Sequence, residues 1–246
     1  MRLRTRASAD DVAAYDDVIV ATGVVPRVID GPGLDPDAER PAGSPAVVSY
    51  ADLLEGRAEA GECVAVIGAG GIGVDVAEYL TAPRPPLSSD VEAWRARWGV
   101  DDPARVRGGI ALAPAAAPAI TSGREVHICQ RKTTKIGAGL GRTTGWVHRA
   151  ELRHAGVIEH RGVAYDRVDA EGLHLTQDGR DVVLDVDTVV VCAGQESVRD
   201  LADELAARAV DGGRGPRVHV IGGADVAAEL DAERAIRQAV EVVAAL

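Results

Sequence analysis

A chain of 246 residues, 46% apolar and 26% charged, has the composition of a folded globular protein, with room for one large domain or two small ones. Its 38 acidic against 27 basic residues give a net charge of −11, which argues against wrapping nucleic acid or docking on an anionic membrane. With 3% aromatic residues and no Phe, the core is expected to be built from Val, Leu, Ile and Ala.

The first eleven residues are charged and carry no apolar stretch of the kind a signal peptide needs, so a cytoplasmic location is expected. Residues 15–21 read as a continuous apolar strand ended by Thr22-Gly23, and a Pro/Gly-rich connection follows over 26–45. A short helix is predicted over 49–54, capped by Ser49 with Asp52 in its first turn. Residues 63–67 form the next apolar strand, followed by Gly68-Ala69-Gly70-Gly71-Ile72-Gly73 and a helical pattern over 74–80 that Pro83, Pro85 and Pro86 stop. Residues 84–124 read as a long insertion with one helix over 90–98. Pro114 and Pro118 interrupt its apolar stretch over 110–120, which excludes a membrane-spanning helix there. A second strand is expected over 125–131, then a basic, glycine-rich loop over 132–145 and a helix over 146–154. Residues 163–184 alternate as an antiparallel meander around Ala170-Glu171-Gly172 and Asp178-Gly179. A strand ending in Ala193-Gly194, a helix over 200–208, a strand over 218–221, a Gly222-Gly223-Ala224-Asp225 turn and a closing helix complete the pattern.

A G-x-G-x-x-G string has weight only between a strand and a helix, and here it stands there. Gly68 is expected to make the tight turn, Gly70 to admit a pyrophosphate against the backbone, and Gly73 to let helix and strand pack closely. The helix start beyond Gly71 offers unpaired N–H groups to phosphate. The second strand ends Cys129-Gln130-Arg131-Lys132, with no carboxylate to hold the ribose hydroxyls of NAD. Arg131, aided by Lys132 and Lys135, suits a 2′-phosphate, so NADP(H) is predicted over NAD(H). The loop Gly137-Ala138-Gly139-Leu140-Gly141 either closes over the nucleotide or packs on the insertion. The turn at Gly222–Asp225 either borders a flavin or is a simple turn, and Glu229, Asp231 and Glu233 read as acidic first turns of a solvated helix.

Asp16-Asp17-Val18-Ile19-Val20-Ala21-Thr22-Gly23 is echoed by Asp187-Thr188-Val189-Val190-Val191-Cys192-Ala193-Gly194. The echo predicts two interleaved nucleotide-binding domains. The expected fold is α/β: a Rossmann-like doubly wound domain with a small antiparallel meander over 30–188, and an incomplete second FAD-type domain from 1–29 and 189–246. Only about fifteen residues precede the first copy, so the chain reads as part of a larger flavoprotein, with exposed sheet edge and apolar surface on the incomplete domain. Cys63, Cys129 and Cys192 are too few and too dispersed for a four-cysteine cluster and read as buried, reduced thiols. His148, His154 and His160 read as surface or packing residues, and no catalytic acid–base pair, nucleophile triad or metal cluster is read from the sequence.

Three segments carry a resemblance. They are Gly139-Leu140-Gly141-Arg142-Thr143-Thr144-Gly145-Trp146-Val147-His148-Arg149, Val191-Cys192-Ala193-Gly194-Gln195-Glu196, and the run from Ile221-Gly222-Gly223-Ala224-Asp225 to Asp231. With Trp98-Gly99-Val100-Asp101 of the insertion, they resemble the C-terminal FAD- and NADPH-binding part of bacterial NADPH-dependent 2,4-dienoyl-CoA reductases, old-yellow-enzyme-like iron–sulfur flavoproteins. The resemblance implies that NADPH gives hydride to FAD, and that electrons pass through an iron–sulfur cluster to FMN, which reduces the dienoyl-CoA. In that family the FMN barrel, the cluster cysteines and the FAD pyrophosphate loop lie upstream, so they are expected in a missing portion or partner chain. This chain by itself is then not expected to reduce a dienoyl-CoA. Carried over by position, Gly68, Ala69, Gly70, Gly71, Ile72, Gly73, Arg131, Lys132 and Lys135 belong to NADPH. Thr22, Gly23, Ala193, Gly194, Gln195, Gly223 and Asp225 belong to FAD. The alternatives are an NADP(H)-binding module with no catalysis, and a fragment of a related amine dehydrogenase or enoate reductase.

Overall fold

The computed structural model describes residues 2–110, 122–210, 215–228 and 232–246. In chain order its elements begin with α1 (Ala9–Val12), β1 (Asp17–Val20), β2 (Val24–Pro26), β3 (Ala46–Ser49), α2 (Tyr50–Leu54), β4 (Cys63–Ile67), α3 (Gly71–Thr81) and α4 (Val91–Trp98). There follow β5 (Glu125–Gln130), α5 (Gly145–His154), β6 (Ile158–Arg161), β7 (Val163–Asp169), β8 (Gly172–Gln177), β9 (Arg180–Leu184) and β10 (Thr188–Val191). The chain closes with β11 (Gln195–Ser197), α6 (Asp200–Val210), β12 (Arg217–Val220) and α7 (Ala232–Ala245). It divides into two compact units, Val28–Ala193 and the pair Met1–Arg27 with Gly194–Leu246.

Runs of Val and Ile at β4, β5 and β10 build the centre of the larger unit, a parallel sheet of order β3-β10-β4-β5-β6. Such runs suit strands buried on both faces. Alternate side chains divide accordingly: Ala65, Ile67, Cys129, Val189 and Val191 pack with Leu173 and Leu175 of the meander. Val64, Val66, Val126, Ile128 and Val190 pack with Val74, Val76 and Leu80 of α3 and Leu152 of α5. The meander β7-β8-β9 turns at Asp178 and Gly179, which both take positive φ as a two-residue hairpin requires.

Local signals set the helix starts. Ser49 caps α2 by accepting the Asp52 N–H at 3.1 Å, and Asp90 caps α4 by accepting the Ala93 N–H at 3.0 Å. Arg124 fastens the return from the insertion, donating to the carbonyls of Gly61 and Ala60. The Ala/Pro-rich stretch expected after α4 falls largely on 111–121, outside the described residues.

In the smaller unit the two flanking segments pair: β1 lies parallel to β12, while β2 lies antiparallel to β11. The first strand is shorter than the sequence suggests, because Tyr15 is exposed and only Asp17–Val20 finds a partner. The sheet of the larger unit includes Val189–Val191, between β3 and β4, whereas the sequence reading began the flanking segment at 189. Two short strands, β3 and β6, join that sheet without having been expected. Among the described residues, no helix is long and apolar enough to cross a membrane.

Candidate nucleotide-binding site

The strand order around β4 reverses direction: β5, next in sequence, lies on one side and β10, from the end of the unit, on the other. In open parallel sheets a crevice forms at the carboxyl ends of the strands at such a switch point. The Gly68–Gly73 segment occupies that place, and its geometry explains each glycine. Gly68 turns out of β4 at φ 106°, and a Cβ there would stand 2.6 Å from the Cys192 carbonyl oxygen. A Cβ on Gly73 would stand 1.8 Å from the Gly68 carbonyl oxygen. At Gly70 and Gly71 it would meet nothing within 4 Å. Two glycines therefore let the chain touch itself, and two keep open the surface in front of the helix. Gly70 is the N-cap of α3 and supplies no side-chain acceptor to the helix's first N–H groups. Those donors and the helix dipole face the crevice, which is what a pyrophosphate requires. The residues present fit a dinucleotide.

The floor is braced by backbone carbonyls. The Cys129 carbonyl accepts the Gly68 N–H at 2.8 Å and the Tyr165 hydroxyl at 2.9 Å, and the Ile67 carbonyl accepts the Cys192 N–H at 2.8 Å. Burial raises the Tyr165 hydroxyl well above its ordinary pKa, with the Cys129 thiol adding to the rise and the Arg131 charge opposing it. Burial also pushes the Cys129 and Cys192 thiols up to about 12, so both are protonated at neutral pH. They pack on opposite faces of the sheet and cannot bridge. Cys63, at the other end of β4, is only partly buried. Its thiol is raised first by burial and then by the Glu125 charge.

At the end of β5, Gln130 turns its amide inward to the Thr134 carbonyl, and Arg131, Lys132 and Lys135 stand exposed beyond it. The Gly162 N–H holds the loop through the Lys132 carbonyl at 3.0 Å. The glycine-rich loop packs on the α3–α5 side of the sheet rather than on the described part of the insertion. Ile136 is fully buried against the α3–α5 side of the sheet with Leu140 beside it, and Arg149 of α5 donates to the Gly137 carbonyl at 3.0 Å. The insertion instead lies against α5, where Trp98 stacks with His154 at 5.3 Å and Arg97 pairs with Glu151.

In the smaller unit, Thr22 donates its hydroxyl to the Val198 carbonyl, and Gly23 at φ 76° accepts the Val198 N–H at 3.0 Å. Gln195 begins β11 after Gly194. Gly222–Ala224 is a 3-10 turn whose Gly223 carbonyl accepts the Ser197 hydroxyl. One oxygen of Asp225 accepts the Gln238 amide at 2.8 Å. Thus β11 carries Thr22, Gly23, Gly223 and Gln195 to one neighbourhood. The closing helix starts at Ala232, not directly after the turn; Glu233 lies in its first turn, while Glu229 and Asp231 lie outside the described residues. Of the histidines, His148 meets Glu78 at 2.9 Å, and burial lowers the pKa of His160.

Residues 2–218 match the model of the pyridine nucleotide-disulphide oxidoreductases. The chain belongs to that family. Solved structures of similar fold include a 2-naphthoyl-CoA reductase (22% identity, TM-score 0.67, 96% of this chain and 28% of that one). They also include a 6-hydroxypseudooxynicotine amine oxidase from Pseudomonas geniculata (23%, 0.62, 92% and 29%) and a histamine dehydrogenase from Rhizobium (18%, 0.60, 92% and 30%). The chain spans under a third of the length of each. Sequence reasoning singled out the glycines between β4 and α3, but missed Tyr165 and the carbonyls of Cys129 and Ile67 that brace them. A backbone acceptor leaves no mark in side-chain identity. The aromatic residue in the meander was the one available signal.

Proposed function

We propose that this chain is the electron-entry portion of a flavin oxidoreductase. The larger unit binds NADPH, and the smaller unit supplies part of an FAD site through Thr22, Gly23, Gln195, Gly223 and Asp225. The two cofactors, when bound, would supply hydride transfer, whose chemistry is theirs rather than the protein's. The chain's own residues hold the nucleotide: the α3 N-terminus and Gly68–Gly71 take the pyrophosphate, and Arg131 with Lys132 takes the 2′-phosphate. The observation that carries this reading is the glycine geometry, with collisions at Gly68 and Gly73 and open space at Gly70 and Gly71. The lack of a carboxylate at the end of β5 supports NADPH over NADH. The resemblance in residues 139–149, 191–196 and 221–231 supports a downstream task of reducing an enoyl-type C=C bond, such as that of a 2,4-dienoyl-CoA. An FMN- and iron–sulfur-bearing portion outside this sequence would perform it.

Titration of the chain with NADPH and NADH, its visible spectrum recorded first, tests this. NADPH is expected to bind at least tenfold tighter than NADH, and Arg131→Glu to reverse the order. A flavin spectrum bleached by NADPH would support the electron-entry role. Equal affinity for both nucleotides, unchanged in the variant, would remove the assignment of Arg131.

A further inference from the structure

The sheet of the larger unit carries a second cluster of chemically capable side chains, at the end opposite the glycines. Cys63 opens β4 and stands beside Glu125, which opens β5, while His127 lies two residues on along the same face. Ile67, whose carbonyl end meets Gly68, lies four residues farther, so the cluster is about 15 Å from the nucleotide crevice. Cys63 Sγ is 3.7 Å from Glu125 Oε1, and His127 Nε2 is 2.9 Å from the same oxygen. All three donor atoms fall within 4.8 Å of one another.

We propose that Cys63, Glu125 and His127 bind one divalent transition-metal ion of the zinc class, with water in the remaining position. A tetrahedral ion with Zn–S of about 2.3 Å and Zn–O or Zn–N of about 2.0 Å needs donor atoms about 3.3–3.5 Å apart. The Cys63–Glu125 and Glu125–His127 separations bracket that spacing, and side-chain shifts of a few tenths of an ångström complete it. A thiolate, an imidazole and a carboxylate form a mixed donor set that suits zinc, and it does not suit magnesium or calcium, which take oxygen.

A separate observation concerns protons. From Glu125 a chain of contacts continues from β5 to β6 and β8: His127 Nδ1 to His160 Nε2 at 3.0 Å, then His160 Nδ1 to Gln177 Oε1 at 3.4 Å. Gln177 gives its NH2 to the Arg161 carbonyl at 3.2 Å, which leaves only its oxygen for His160. The chain thus has three gaps between acceptors, Glu125 to His127, His127 to His160 and His160 to Gln177, and each needs one hydrogen. Two neutral imidazoles supply two. A cation on His127 Nε2 and Glu125 fills the third gap with both rings neutral. It also fixes the tautomer, with His127 donating to His160 and His160 to Gln177, as outer partners do for metal-bound histidine. Asp185 and Asp187 add negative charge at Cys63, which favours a cation there.

Titration of the full chain with Zn2+ and Co2+, after treatment with chelator, decides the matter, and it is independent of the nucleotide reading. One equivalent of Co2+ is expected to produce a tetrahedral visible spectrum with a thiolate-to-cobalt charge-transfer band. Cys63→Ser should abolish that band, and His127→Gln should weaken Zn2+ binding at least tenfold. His160→Gln, which leaves the three ligands in place, should weaken it about tenfold. His148→Gln, in the separate Asp75–Glu78–His148 group, should leave it unchanged. Should Cys63→Ser fail to fold, the wild-type charge-transfer band and His160→Gln still decide. Cobalt bound without a thiolate band, or zinc affinity lost with His148→Gln and kept with His127→Gln, would overturn the proposal.

Discussion

A methyl group placed on Gly73 would lie 1.8 Å from the Gly68 carbonyl oxygen, whereas one on Gly70 would meet nothing within 4 Å. The same substitution therefore separates folding from binding. Gly70 has φ −76° and ψ −169°, a conformation alanine adopts freely. Gly70→Ala should shift stability by less than about 1 kcal/mol, the loss of a glycine N-cap being offset by a stiffer unfolded chain. On the proposed function it should still weaken NADPH binding at least tenfold, because the added methyl would stand on the surface proposed for the pyrophosphate. Gly73→Ala should cost about 1–3 kcal/mol or more through overpacking. Thermal melts paired with nucleotide titration check both; equal loss of stability in the two variants would contradict this division. These glycines were legible in the sequence because their spacing falls between an apolar strand and a helical pattern. Cys63, Glu125 and His127 were not, since they are drawn from two strands some sixty residues apart and only the register of β4 on β5 brings them together.

Among the elements, β1 and β12 form a ladder of four paired residues, joined at one end by side chains. Asp17 accepts from Arg217 at 2.8 Å and from His219 at 2.9 Å, and these bonds, that from Arg217 first, hold its carboxyl below the ordinary value of 3.8. A carboxyl whose pKa is depressed by folding stabilises the fold above its ordinary value and stops doing so as pH falls below it. Asp17→Asn should lower the melting temperature at pH 7, and the difference from wild type should shrink below about pH 3.8. A difference that persists unchanged into acid would mean that Asp17 acts by packing rather than charge. Elements with their own chemistry were readable: the Ser49 cap, the helix over 90–98, the Asp178-Gly179 turn, the apolar run of β4. Others were not. Strand β6, Ile-Glu-His-Arg, has one apolar residue and owes its form to the backbone ladder offered by β5. Strands β2 and β11 have three residues each and exist through one another. The helix α1 had a signal that went unread, the Ser8–Asp11 capping box.

Over the whole molecule, burial is uneven. In the larger unit β4, β5 and β10 are covered on both faces and reach zero exposure at Val64, Val66, Ile128 and Val190. In the smaller unit the paired strands are short, and α7 presents Ile236, Val240 and Val243 to solvent on one face, each over 60% exposed. Hydrogen exchange should accordingly be slowest in β4, β5 and β10 and markedly faster in β1 and β12, because local opening exposes less where less is buried. Matching protection in the two sets of strands would show that the units open together. The chain leaves the smaller unit at Arg27 and re-enters it at Gly194, and at that doorway the Arg27 N–H bonds the Gly194 carbonyl at 3.1 Å next to the β2–β11 ladder. A pulling force applied to the two chain ends would meet the β1–β12 ladder first and, once that tears, pass from β2 straight across to β11. Until this second short ladder tears as well, the 166 residues between would carry no tension, a loop of folded protein outside the line of load.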